Sequence, residues 1–325
     1  MSGSGIERGV VLVATSVDVT AVVRQSLSGK RRDPRGSLFA WALLIALLLS
    51  LLALAVLLWD VIADSLSVWV ERTFGNFLTS QLSANPEVAG IWQAFYGSLL
   101  LMIFVIIFAV PTGIASAIYL EEYAVNNRFS RMVNAVIRNL AGVPSIVYGI
   151  LGLTIFVKFM GSITGPEVEG RSLIAGGLTL AVLVLPIVII TTAEALRAVP
   201  NSIREGAIGV GATRFQTVRH HVLPVAAPGI FTGTILSLAR AFGEAAPLLL
   251  VGGITTFFQA GADSSFLDVL QGRFSAMPVL VFSWARLPQE GFRALTAALI
   301  VVMLVVLFLI NFTAVYLRNR YEKNV

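Results

Sequence analysis

Between Ser37 and Trp59 the chain carries no charged side chain. About 20 apolar residues, each rising 1.5 Å along a helix, cross the hydrocarbon core of a bilayer. A run of this length therefore sets the terms for the rest of the chain: backbone polar groups must be satisfied within helices, and charges must collect at the membrane ends. Composition agrees, with 57% of residues hydrophobic and 13% charged, where soluble domains carry about a quarter charged. The reading is an all-α, polytopic membrane protein. Cysteine is absent, which excludes disulfides, thiolate catalysis and cysteine-ligated metals without fixing a redox compartment.

Six transmembrane helices are expected. The first covers 37–59, with Trp41 and Trp59 as interfacial anchors. The second lies within Trp92–Tyr119, interrupted by Pro111 and Gly113. A third runs from about Asn139 to Val157, where Pro144 bends its axis. The fourth spans Ser172–Ala193, the fifth about Pro228–Ile254, and the sixth Ala294–Tyr316. Residues 1–36 form a polar tail that does not read as a cleavable signal, because its apolar run starts late and continues too long. An external segment over 60–91 has room for a short interfacial helix, a second external segment covers Thr255–Arg293, and 317–325 is a short tail. With this arrangement fifteen lysines and arginines fall on the side of the two termini and the loop 199–224, and six on the other. Basic residues accumulate in the cytoplasm, so both termini and that loop are assigned there.

The loop reads as two short helices joined at glycine. Pro200 stops the preceding span, and Ser202 with Glu205 has the spacing of a capping box that starts a helix at Ile203. Gly209 and Gly211 weaken that helix, Thr213 with Gln216 repeats the capping box, and Pro224 closes the second piece. Ile203, Ala207 and Val210 are spaced to share one face, as are Phe215, Val218 and Val222. Pieces this short are marginal alone in water, so their ridges dock either on the chain's own helices or on a second protein.

Arg240 and Glu244 lie one turn apart within the fifth span. A charge at the centre of a bilayer costs about 2.5–3.5 kcal/mol on insertion scales, so neither should face lipid. One reading is an internal i, i+4 ion pair. The other, compatible with it, is an anion path: the guanidinium takes oxyanion oxygens bidentately, and the carboxylate weakens the local positive field so that the anion is released. Elsewhere the chemistry is thin. His220 and His221 are adjacent, so on a helix they point about 100° apart and do not form the i, i+4 pair that metals favour. Glu121, Glu122 and Glu194 read as solvated carboxylates at helix ends, and Arg138 as a side chain snorkelling to headgroups. There is no GxxxxGK[ST] phosphate loop, and no nucleophile–base or paired-carboxylate constellation supports a membrane enzyme.

Glu205-Gly206-Ala207, followed by Gly211 and then Leu223-Pro224, resembles the EAA loop of ABC importer permeases, with Gly206 where that family usually has alanine. Five stretches sharpen the resemblance: Ala117–Tyr123, Ala141–Gly149, Ala193–Pro200, Ala227–Gly233 and Ala239–Leu250. In this order they resemble the PstA-type permeases of phosphate ABC importers, over a core of 92–316. The resemblance implies a type I ABC importer permease fold in a prokaryotic plasma membrane. It also implies an ATPase dimer, a second related permease subunit and an external phosphate-binding protein as partners, with inorganic phosphate as substrate and membrane lipid around the chain. Glu205, Gly206, Ala207, Gly211, Phe215, Leu223 and Pro224 would form the loop that couples to the ATPase, and Arg240 and Glu244 would line the substrate path. Ala245 stands where the family often has threonine. ATP and Mg belong to the partner, and the chain itself is expected to hold no cofactor, metal or nucleic acid. The alternatives are the sister permease of the same complex, a permease for molybdate or sulfate, or an ion-coupled secondary transporter using Arg240 and Glu244 as a relay.

Overall fold

The computed structural model describes residues 34–254 and 265–322. Residues 1–33 of the expected tail over 1–36 and the last three residues lie outside it, and residues 34–36 already belong to a helix. The chain divides into two compact units, one ending at Leu58 and one beginning at Trp59. Helix α1, Pro34–Glu71, contributes to both. Its apolar window has a mean hydropathy of 2.9. The helix continues twelve residues beyond the expected end because residues 60–71 contain neither glycine nor proline to stop it.

In the second unit the chain then turns back through helix α2, Phe74–Thr79. The segment expected to be external is a packed corner, with Phe77, Leu82, Ala89 and Ile91 buried. Arg72 fastens it by donating to the carbonyls of Ala89 (2.9 Å) and Pro86 (2.6 Å). Helix α3 follows at Trp92–Ile118 and widens into a π-turn at Tyr119–Tyr123.

The next two helices show how far the expected third span bends at Pro144 and how much earlier its helical part begins. Helix α4, Arg128–Ala141, is amphipathic and has no buried residue. Helix α5, Ser145–Gly152, continues as a π-turn through Phe159 and meets α4 at 101°. Gly142-Val143-Pro144 causes the break: proline removes a helical donor, and its ring disfavours the helical conformation at Val143. The described residues therefore hold five helices long and apolar enough to cross a membrane, or six when this bent pair counts as one.

Helix α6, Leu173–Arg197, is central, with 67% of its apolar window buried. Ser172 caps it, accepting from the Ala175 amide. The helix packs closely on α3 at Gly113, where an added Cβ would sit 2.6 Å from Val188 Cγ1, and at Gly177, where one would sit 2.7 Å from Phe104 Cβ. Association without a hydrophobic drive depends on such close van der Waals packing between small residues.

After helix α7, Asn201–Gly209, comes α8, Arg214–Gly243. Pro224 does not close a short helix as the spacing predicts. The chain passes through a π-turn at Val218–Val222, and Pro224 falls in the first turn of the segment that resumes at Leu223. Proline has no amide to donate, and it is placed where the widened turn has already shifted the hydrogen-bond register. The second segment expected to be external, of which residues 255–264 lie outside the described residues, is also more than a loop. After α9, Ala246–Val251, and α10, Phe266–Gln271, helix α11 at Met277–Trp284 is sunk into the core. Its Met277 amide donates to Ser98 Oγ at 2.8 Å. Helix α12, Glu290–Glu322, ends the described chain.

Candidate functional site

The loop folds as helix, hinge, helix, but with different seams from those the spacing suggests. Helix α7 begins at Asn201 with Pro200 as its N-cap, and no side chain caps it. Ser202 already lies inside the first turn, so its expected capping box with Glu205 does not form. The second capping box does: the Gln216 amide donates to Thr213 Oγ1, and Gln216 Oε1 accepts from the Thr213 amide. The expected ridges also divide. Ile203 and Ala207 turn inward with Val218 and Val222, while Val210 and Phe215 are 86% and 59% exposed. Val210 leaves the shared face because it is the C-cap, and Phe215 because the π-turn shifts the angle between it and Val222. With Ile208, these residues form an exposed apolar tip. Glu205, Gly206 and Gly211 are exposed beside it, and Leu223 and Pro224 are half-buried at its base.

Two carboxylates that the sequence suggested were solvated are paired: Glu122 holds this loop to the bundle, and Glu121 ties the end of α3 to the end of α6. Arg204 on α7 donates to Glu122 at 2.7 Å, and also to the carbonyls of Leu196 and Val199, both at 2.8 Å. Leu196 is in the last turn of α6, whose final carbonyls lack helical partners and are well satisfied by a cation, and Val199 lies just beyond the helix end. Arg197 makes a bidentate pair with Glu121, and Arg214 stands 5.9 Å from the Tyr123 ring centroid. The π-turn at Tyr119–Tyr123 brings Glu121 and Glu122 onto these partners. The available signal was the Glu-Glu pair ending an apolar span, with two arginines about eighty residues later.

Gly211 has φ +91°, a backbone region that costs other L-residues roughly 1–2 kcal/mol. Gly206 is helical, with no atom near the position of an added Cβ. Gly206→Ala should therefore stabilise α7 by about 0.5–1 kcal/mol, while Gly211→Ala destabilises the hinge by a similar or larger amount. Thermal unfolding of the purified chain will show opposite shifts; equal shifts would mean that the two glycines are interchangeable.

The fifth span departs from expectation at its charged end. Helix α8 ends at Gly243, so Glu244 is its C-cap with extended backbone and not a helical residue. Arg240 Nε still lies 3.5 Å from Glu244 Oε1. The guanidinium is 45% exposed and the carboxylate 17%. Arg240 shares an outward face of α8 with Thr232 and Leu236. Ala245 is the N-cap of α9 and has no side-chain group with which to cap it. A cavity of about 390 Å³ opens beside this end, but Phe242, Ala245, Phe282, Met303 and Leu307 make its wall apolar, and Arg240 does not line it. The structure does not bring the loop and the charged pair together. From Arg214 to Arg240 there are 26 helical rises, or about 39 Å at 1.5 Å each.

The model of the family described as "Binding-protein-dependent transport system inner membrane component" matches residues 109–323. The chain is 32% identical to the phosphate transport system permease protein PstA 1 of Mycobacterium tuberculosis (strain CDC 1551 / Oshkosh), over 92% of this chain and 93% of that protein. It is 40% identical to the probable ABC transporter permease protein YqgH of Bacillus subtilis, over 55% of this chain and 59% of the relative. In a crystal structure of a bacterial alginate ABC transporter with its pentasaccharide-bound periplasmic protein, one chain superposes with a TM-score of 0.62. The match covers 86% of this chain and 94% of that one at 17% identity, a likeness of fold. The fold is thus that of a type I importer permease, and the chain belongs to the binding-protein-dependent transport system inner membrane component family.

Proposed function

We propose that this chain is the membrane permease subunit of an ATP-driven phosphate importer, forming half of the translocation path beside a second, related permease. The observation that carries the reading is Arg240: a guanidinium 45% exposed on the outward face of a membrane-length helix. Facing lipid it would be costly, so a second subunit or an aqueous path must cover it. Its fork of donors suits a tetrahedral oxyanion, and Glu244 at 3.5 Å keeps the site from holding that anion too tightly. The likeness to phosphate permeases along nearly the whole chain supports phosphate over molybdate or sulfate.

In this reading the tip of Ile208, Val210 and Phe215 sits in a cytoplasmic ATPase subunit that binds ATP and Mg. Closure of the ATPase dimer moves the loop, and α8 carries that movement over about 39 Å to Arg240. The termini and the loop face the cytoplasm, an orientation that the basic-residue asymmetry supports. An external binding protein delivers phosphate to the opposite end. Glu205, Gly206, Ala207, Gly211, Leu223 and Pro224 shape the coupling surface, and this chain contributes no hydrolytic chemistry.

Labelled-phosphate uptake in cells carrying the chain with its neighbouring genes tests the scheme. Uptake should stop with vanadate and persist with an ionophore at constant ATP. The reverse pattern would establish an ion-coupled transporter, and competition by molybdate or sulfate at equal concentration would reassign the substrate.

A further inference from the structure

Helix α4 carries three distinct faces. Ser130, Val133, Ile137 and Ala141 turn toward the bundle, where Ile137 packs against the cluster containing Ala117, Leu196 and Val222. Phe129, Met132, Val136 and Leu140 follow at i, i+3, i+7 and i+11 and form an exposed apolar stripe. Arg128, Arg131 and Arg138 lie on a third face, also exposed, roughly 140° around the helix from that stripe at 100° per residue. The four ion pairs among the described residues involve none of these arginines. Arg131 does donate to Asn126 Oδ1 at 3.3 Å, a neutral acceptor.

Orientation gives the pattern its meaning. α4 meets α5 at 101°. If α5 runs into the membrane, α4 lies along its surface. The packed face fixes the roll of the helix, so the apolar stripe and the basic face are presented together in one setting. An apolar stripe with arginines on the opposed polar face is the composition of an interfacial helix, whose apolar side sinks about 5–10 Å into the boundary between headgroups and acyl chains while the long basic side chains snorkel back to the headgroups. We infer that α4 is an anionic-phospholipid site: its stripe is buried in the leaflet on the loop side, and Arg128, Arg131 and Arg138 bind headgroup phosphates. A second permease is the weaker occupant, because the centres of protein interfaces are depleted in charge and this face has three cations with no carboxylate partner among the described residues. The loop side is the proposed cytoplasmic side, where anionic lipid attracts basic segments. The lipid site does not depend on which substrate is carried.

The chain has no native cysteine, so Met132→Cys provides a single labelling position. The labelled full chain is placed in nanodiscs of phosphatidylcholine, alone or mixed with phosphatidylglycerol, with and without a co-expressed second permease. The label should be quenched by acyl-chain doxyl lipids and shielded from aqueous quenchers, with the permease partner making no difference. Spin-labelled phosphatidylglycerol should associate more strongly than phosphatidylcholine, and that preference should fall about fivefold for each arginine replaced by glutamine. Quenching from water would overturn the proposal. So would shielding from both quenchers once the second permease is present, which would make the stripe a subunit interface. An unchanged lipid preference in the Arg128→Gln, Arg131→Gln, Arg138→Gln variant would equally remove the headgroup site. The Met132→Cys label, carried in that same variant, shows whether α4 still folds in place.

Discussion

Phosphate uptake should be lost when Arg240 is replaced by glutamine, while the protein remains folded and associated with the proposed ATPase. The two outcomes separate because they depend on different ends of one helix. Arg240 is 45% exposed, and its partner is 3.5 Å away. After allowance for solvent screening, an exposed pair of this kind contributes about 0.5 kcal/mol or less to stability. A hydrogen bond to a charged oxyanion contributes about 1.5–3 kcal/mol, which corresponds to a factor of about ten to one hundred and fifty in uptake. A bidentate contact exceeds one such bond, so Arg240→Lys should recover only part of the rate. Glu244→Gln should act in the opposite sense on binding: with the carboxylate neutralised the anion is held more tightly and released more slowly, and both the half-saturating concentration and the maximal rate fall. Labelled uptake across a range of phosphate concentrations, alongside co-purification of the ATPase, reads all three variants. Full uptake by Arg240→Gln would remove this residue from the path.

The membrane class and the order of spans were legible because each rests on a local property, the length of an uncharged run. The hinged loop was legible for a similar reason. Thr213 with Gln216 forms its capping box, and Gly211 adopts the left-handed backbone that only glycine takes readily. What the sequence hid is register. Three π-turns, at Tyr119–Tyr123, Leu153–Phe159 and Val218–Val222, each change the facing of every later residue. A 3.6-residue count carried across them fails, which is why Phe215 separates from Val222 and why Pro224 does not end its helix. Pro144 was read as a bend because proline in a membrane helix often makes one; with Gly142 nearby it gives a 101° corner. Glu122 was misread for another reason. Its partner is eighty-two residues away, and no periodicity spans such a distance.

That hidden contact is the basis of the second large effect. Arg204→Leu should lower the stability of the chain by about 2–3 kcal/mol, whereas Arg197→Leu should cost under about 1 kcal/mol. The two arginines look alike in sequence, and each pairs with a neighbouring glutamate. They differ in burial: the Arg204–Glu122 side chains are 20% and 8% exposed, while Arg197 is 47% exposed. Removing one member of a buried pair strands the other charge, a loss of about 3–5 kcal/mol when burial is complete and less here because water still reaches Arg204. The double variant Glu122→Leu, Arg204→Leu should recover part of that loss, since an apolar pair of similar volume is often neutral. Recovery stays incomplete because the carbonyls of Leu196 and Val199 have lost their donor. Through this one side chain α7 holds the ends of both α3 and α6. The double variant should therefore hydrolyse ATP in the assembled complex with phosphate import reduced, even where thermal stability has returned. Thermal unfolding of the two single variants and the double variant, together with the ratio of import to hydrolysis, separates anchoring from transmission. Equal losses in Arg197→Leu and Arg204→Leu would show that burial does not distinguish the pairs, and a normal import ratio in the double variant would show that force reaches α8 without passing through Arg204.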